Sequence, residues 1–111
     1  MDLEDLKRNT DYSGYNPTDQ IIIWFWAVVS EYSQEDLAKL VQFITGTSKI
    51  PVEGFSHMIG MNGIQRISIH RDPCDHQLPK SHTCFNQLDL PNYHTKELLR
   101  KKLGICLVWG S

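Results

Sequence analysis

The chain has 111 residues, 41% hydrophobic and 22% charged, an ordinary globular composition that excludes intrinsic disorder as its main state. That is one domain's worth, and a chain of this length buries roughly 65% of its unfolded surface, enough for one core without staples. Eleven Lys and Arg against 13 Asp and Glu leave a formal charge of −2, which argues against a nucleic-acid partner and gives an anionic membrane no basic anchor.

Residues 1–18 carry Asp2, Glu4 and Asp5, then Lys7 and Arg8, then the turn formers Ser13, Gly14, Asn16 and Pro17. Only Leu3, Leu6, Tyr12 and Tyr15 offer apolar area, so the stretch reads as an arm followed by a hinge. The start Met-Asp-Leu-Glu-Asp has neither the basic nor the apolar region of a secretory signal. The apolar run at 21–29 falls far short of the ~20 residues a membrane-spanning helix needs. Its residue types suit a strand, but the unbroken length from 19 to 32 favours a mostly buried helix, capped by Thr18 or Asp19. Trp24 and Trp26, two apart on such a helix, cannot both face one core, which leaves one of them for an outer surface.

A second helix follows at once. Ser33-Gln34-Glu35-Asp36 resembles a capping box, with the Ser33 hydroxyl accepting from the Asp36 amide. Leu37, Leu40, Val41 and Ile44 then form one apolar stripe, and Gly46 stands where a left-handed stop belongs. From 49 to 91 the texture changes. Pro51, Gly54, Gly60, Gly63, Pro73 and Pro79 break the chain every few residues. Ile67 and Ile69 alternate with Ser68 and His70, predicting a strand at 65–71. A second strand is predicted across 82–88. Thr95 opens a last helix whose Leu99, Leu103, Cys106 and Leu107 share a face, with Gly104 inside it. The fold class is therefore α+β: one small domain with a small β-sheet packed by two N-terminal helices and one C-terminal helix.

The three cysteines, Cys74, Cys84 and Cys106, have no framework spacing and point to a reducing compartment, cytoplasmic or nuclear. On a strand at 82–88, Phe85 would anchor the core, leaving His82, Cys84 and Asn86 on the accessible face. Leu88 and Leu90 have the wrong parity to share Phe85's face, so the strand is expected to end or bulge near Gln87. A free thiol is only about 3% thiolate at pH 7, so an accessible cysteine gains reactivity from its neighbours. The bland alternative makes Cys84 a small buried hydrophobe. A metal alternative joins Cys74, His76, His82 and Cys84 around zinc, although strand residues two apart lie ~7 Å from one another, wide for one ion. His57, His70 and His94 read as surface or cap residues, and Lys96, Arg100, Lys101 and Lys102 as a solvated helix face.

The segment Leu78-Pro79-Lys80-Ser81-His82-Thr83-Cys84-Phe85-Asn86-Gln87-Leu88-Asp89-Leu90-Pro91-Asn92-Tyr93 resembles the active-site segment of the HECT family of ubiquitin-protein ligases. The resemblance continues upstream through Trp24-Phe25-Trp26, Gln42-Phe43-Ile44-Thr45-Gly46-Thr47-Ser48-Lys49-Ile50-Pro51 and Glu53-Gly54-Phe55, in register over about residues 5–107. The family's catalytic unit has a larger N-terminal lobe that recruits the loaded conjugating enzyme and a smaller C-terminal lobe that carries a cysteine. This chain resembles the smaller lobe. Residues 1–18 match the end of the missing N-terminal lobe plus the interlobe hinge, and residues 19–111 the C-terminal lobe.

By that resemblance Cys84 is the thioester-forming nucleophile. It accepts ubiquitin from a conjugating enzyme and passes it to a lysine of a protein substrate, with no metal or organic cofactor. His82 and Thr83 would orient the thiol and the developing oxyanion, and Asn86 would help hold the ubiquitin tail. The implied partners are ubiquitin, a ubiquitin-conjugating enzyme, protein substrates and the missing N-terminal lobe. A different reading keeps the fold but makes it a non-catalytic ubiquitin- or partner-binding module. Two departures stand out. Ser81 replaces the family's usual Ala. Many members also end in an acidic-aromatic tail with a Phe, for which Trp109 is the one candidate here, so lysine transfer is expected to be weaker than thioester formation.

Overall fold

The computed structural model describes residues 2–46, 59–60, 63–64 and 66–109. The predicted breaks at Pro51 and Gly54, the motif residues from Thr47 to Phe55, His57 and the side chain of Trp109 lie outside them. The element order is α1 (Leu3–Arg8), β1 (Thr10–Ser13), α2 (Gln20–Ser30), α3 (Gln34–Thr45), β2 (Ile59–Gly60), β3 (Gly63–Ile64), β4 (Ile67–Asp72), β5 (Lys80–His82), β6 (Gln87–Pro91) and α4 (Lys96–Trp109). A 3-10 turn, Thr83–Phe85, joins β5 to β6.

The main sheet has strand order β1-β4-β6-β5, with β1–β4 and β4–β6 parallel and β5–β6 antiparallel. Alternation decides its inner face. Ile67 and Ile69 on β4, and Leu88 and Leu90 on β6, are buried, while the residues between them are not. Against that face lie Ile22, Phe25 and Val29 of α2, Leu40, Val41 and Ile44 of α3, and Leu99 and Leu103 of α4, all in one core cluster. The α+β class and its three packing helices are as the sequence predicts. The fold resolves the expected arm into a first helix and an edge strand.

That N-terminal stretch is ordered by specific contacts. The Asp2 carboxylate accepts from the amides of Glu4 and Asp5 and starts α1. Arg66, just before β4, donates to the carbonyls of Arg8 (2.9 Å) and Asn9 (3.2 Å) at the helix's far end. Leu6 enters the core, and the buried Tyr15 hydroxyl donates to the Leu90 carbonyl at 2.7 Å.

The solid apolar run at 21–29 is indeed helical. Asp19 occupies the cap position, but its carboxylate accepts from the Asn16 amide and closes the preceding turn instead of capping. Trp26 is buried, with its Nε1 donating to the Tyr12 hydroxyl at 2.9 Å. Trp24 is half-buried, so the exposed apolar residue of α2 is Ile23 rather than a tryptophan. Helix α3 starts and stops as its caps dictate. The Ser33 hydroxyl accepts from the Asp36 amide, and Gly46 takes φ +75°. In α4 the Thr95 hydroxyl accepts from the Leu98 amide, and Arg100 bridges Glu97 to Glu31 at the end of α2.

The strand expected across 82–88, ending or bulging near Gln87, is corrected: the break comes earlier and a strand begins at Gln87. The chain turns at Thr83–Phe85 and passes through Asn86 at φ 51°, ψ 44°, before a new strand begins at Gln87. A left-handed residue resets the alternation, which explains why Leu88 and Leu90 face the core despite their unfavourable parity with Phe85. Phe85 is not the core anchor: it is 40% exposed.

Two predictions follow from this packing. Gly104 lies inside α4, and a Cβ added there meets nothing within 4 Å. Gly104→Ala is expected to stabilise the chain by about 0.5–1 kcal/mol in urea unfolding. Burial pushes the Tyr15 phenol up to about 12. Because this folded value lies above the unfolded one, the stabilisation is full below pH ~10 and is lost as pH rises through the folded value. The thermal midpoint should fall between pH 10 and 12, and less steeply in Tyr15→Phe.

Candidate functional site

The β5–β6 hairpin carries the residues singled out from sequence. Its register sets Lys80 against Asp89, Ser81 against Leu88 and His82 against Gln87. Four residues are left for the connection. Thr83, Cys84 and Phe85 make the 3-10 turn, and Asn86 returns the chain, its amide donating to the Thr83 carbonyl at 3.3 Å. Cys84 is thus the middle residue of a tight turn at the hairpin's tip.

The three free thiols differ sharply: Cys84 is exposed, Cys74 intermediate and Cys106 buried. Cys106 donates to the Pro79 carbonyl at 3.4 Å, and burial pushes its thiol up, away from the reactive thiolate. The bland reading of Cys84 as a buried hydrophobe therefore fails, and it fits Cys106 instead.

His82 and Thr83 are exposed beside Cys84. Asn86 is not: it is 1% exposed, and its carbonyl accepts from the Ser68 amide on β4. The expected common face of His82, Cys84 and Asn86 is replaced by a turn in which Asn86 faces inward. Asn is among the few residues that take the left-handed conformation readily, which accounts for its place here.

A wall stands behind the turn. Helix α3 ends at Gly46, where an added Cβ would lie 3.1 Å from the Thr83 Cβ and 3.3 Å from its Cγ2. The glycine thus serves twice, as a left-handed helix stop and as the clearance that lets Thr83 sit against the helix end.

Two further residues meet His82, and sequence reading missed both. His82 Nε2 lies 2.8 Å from Asp89 Oδ2, and Gln87 Nε2 donates to Asp89 Oδ1 at 2.7 Å. Their signal was present, since Gln87 and Asp89 alternate with buried leucines, but it becomes readable only once the strand is broken at 83–86. The suggested zinc quartet is not assembled. Cys74 donates its amide to Asp72 Oδ1, His76 approaches Asp75, and His82 is engaged by Asp89. Among the described residues no group of three or more His, Cys, Asp or Glu is arranged to hold a metal ion.

The sequence matches the HECT-domain (ubiquitin-transferase) family over residues 1–110. The chain belongs to the HECT-domain family. Relatives agree with this. The chain is 50% identical over 112 residues to an E3 ubiquitin-protein ligase TOM1-like protein of Neurospora crassa, covering 100% of itself and 3% of that relative. It is 50% identical over 108 residues to the E3 ubiquitin-protein ligase UPL1 of Arabidopsis thaliana, covering 96% of itself and 3% of that protein. Against the E3 ubiquitin-protein ligase RSP5 of Saccharomyces cerevisiae it is 48% identical over 107 residues, 96% of the chain and 13% of the relative. The chain therefore spans a small part of the length of these HECT ligases.

The close approach at the α3 stop is testable. Gly46→Ala places a Cβ at positive φ and against Thr83, and is expected to cost about 1–2 kcal/mol in urea unfolding.

Proposed function

We propose that this HECT domain transfers ubiquitin by transthiolation, with Cys84 as the residue that accepts it. The observation that carries the reading is the exposure of Cys84 at the tip of a tight 3-10 turn, while Cys106 is buried and Cys74 half-buried. Thioester exchange replaces one carbon–sulfur bond by another and is close to isoenergetic, so the protein's task is orientation. A turn pinned by Asn86, the Gly46 wall and the hairpin ladder supplies a fixed direction of approach. His82 and Thr83 immediately precede Cys84 at the turn, and to them we assign the proton and the developing oxyanion. Asn86 supports the site from within by holding the turn.

In this reading ubiquitin arrives on a conjugating enzyme, and a lysine amine of a protein substrate takes it from Cys84. An N-terminal lobe recruits the conjugating enzyme. Residues 1–18 are the end of that lobe and the interlobe hinge, and residues 19–111 the catalytic lobe. Free thiols at all three cysteines fit a reducing compartment, the cytoplasm or the nucleus. Among the described residues no helix is long and apolar enough to cross a membrane.

The test is incubation with activating enzyme, a high concentration of conjugating enzyme, and ubiquitin. A thiol-sensitive ubiquitin adduct should form slowly, disappear in Cys84→Ser, and persist in Cys74→Ser and Cys106→Ser. An adduct that requires Cys74 would overturn the assignment. Ubiquitin binding without any adduct would make the domain a binding module.

A further inference from the structure

We propose that Asp89 is a positioning residue for His82, fixing the tautomer and direction of the imidazole two residues before Cys84, and that Gln87 in turn fixes Asp89. This rests on the reading of Cys84 as the ubiquitin acceptor and deepens it.

Strand geometry brings the three side chains together. On β6, Leu88 and Leu90 are fully buried, so Gln87 and Asp89 project from the opposite face. The hairpin register sets His82 directly across from Gln87 and diagonal to Asp89. Both carboxylate oxygens of Asp89 are then engaged, Oδ2 with His82 Nε2 at 2.8 Å and Oδ1 with Gln87 Nε2 at 2.7 Å. A carboxylate held on both oxygens cannot rotate to follow the ring. The ring must come to it.

A carboxylate accepts and does not donate, so the ring proton belongs on Nε2. The neutral ring then keeps its lone pair on Nδ1, which is the atom able to take a proton. The sequence order places that ring two residues before Cys84, at the entrance to the 3-10 turn. The Asp89 side chain is 20% exposed and the His82 side chain 51%. The better-enclosed acid therefore steers an accessible base, an arrangement in which an outer acceptor sets the tautomer and orientation of a working imidazole. A pair this exposed contributes little to folding, so stability does not explain it.

The ring serves the acyl exchange at Cys84. The Cys84 Sγ–H bond breaks and its proton passes to His82 Nδ1. A bond forms from Sγ to the carbonyl carbon of ubiquitin's C-terminal glycine. The bond from that carbon to the conjugating enzyme's sulfur breaks, and the departing thiolate takes the proton.

The experiment uses the 111-residue chain with ubiquitin-loaded conjugating enzyme and reads single-turnover formation of the Cys84 adduct. Asp89→Asn keeps the shape and removes the charge. It is expected to slow loading about 10-fold, with an unchanged thermal midpoint. In the His82→Ala background the same substitution should cost nothing further, because Asp89 acts only through that ring. Long-range proton–nitrogen NMR of His82 should show the Nε2–H tautomer in the wild type and a mixture with Nδ1–H in Asp89→Asn. If Asp89→Asn fails to fold, Gln87→Ala takes its place, with a 2- to 3-fold slowing and the same spectral mixture expected. Loading at the wild-type rate, an equal loss in the His82→Ala background, or an unaltered His82 spectrum would each overturn the role of Asp89. A wild-type chain that forms no adduct would instead sink the Cys84 reading, and the His82 spectrum alone would then decide the role of Asp89.

Discussion

The left-handed backbone of Asn86 governs the rest of the hairpin. At φ 51° the chain reverses within four residues, and the ladder resumes with the opposite parity. Had the strand run straight from 82 to 88, Phe85 would have pointed inward and Leu88 outward. With the reversal, Leu88 and Leu90 close the core beneath α3 and α4, and the polar residues between them gather on the outer face around His82. The same backbone choice that completes the hydrophobic layer lifts the thiol of Cys84 to the tip. Packing and chemistry are satisfied by one conformation, because alternation on a strand couples every inward choice to an outward one.

The helices hold this tip from behind. Helix α3 ends against Thr83 through the bare face of Gly46. Helix α4 reaches the strand leading into the turn, where the Cys106 thiol meets the Pro79 carbonyl. Arg100 then links α4 to the junction of α2 and α3 through Glu31. The turn is short, but its supports come from elements spread across the chain. A site built this way derives its rigidity from the core and not from its own few residues.

Much of this was legible in the residues. The Ser33 cap, the α3 stripe, the Gly46 stop and the buried face of α4 follow from local rules, because each depends on neighbours within a turn or two. The region around 78–93 stood out for its composition, and its resemblance to HECT ligases held for the family. The failures share a cause. The break at Thr83–Phe85 depends on Asn86 taking the left-handed conformation, which its residue type permits but does not require. The pairing of β1 with β4 is parallel and separated by more than fifty residues, so nothing local announces it. Asp89 was passed over for the same reason, since its partner becomes a neighbour only after the chain has doubled back.

The bond from the Tyr15 hydroxyl to the Leu90 carbonyl has a mechanical meaning. It fastens the segment between β1 and α2 onto the very strand that bears Gln87 and Asp89, one peptide unit beyond the acid. Residues 14–19 and β6 are therefore coupled through one hydrogen bond. The anchor of that segment and the frame of Asp89 are one piece of backbone.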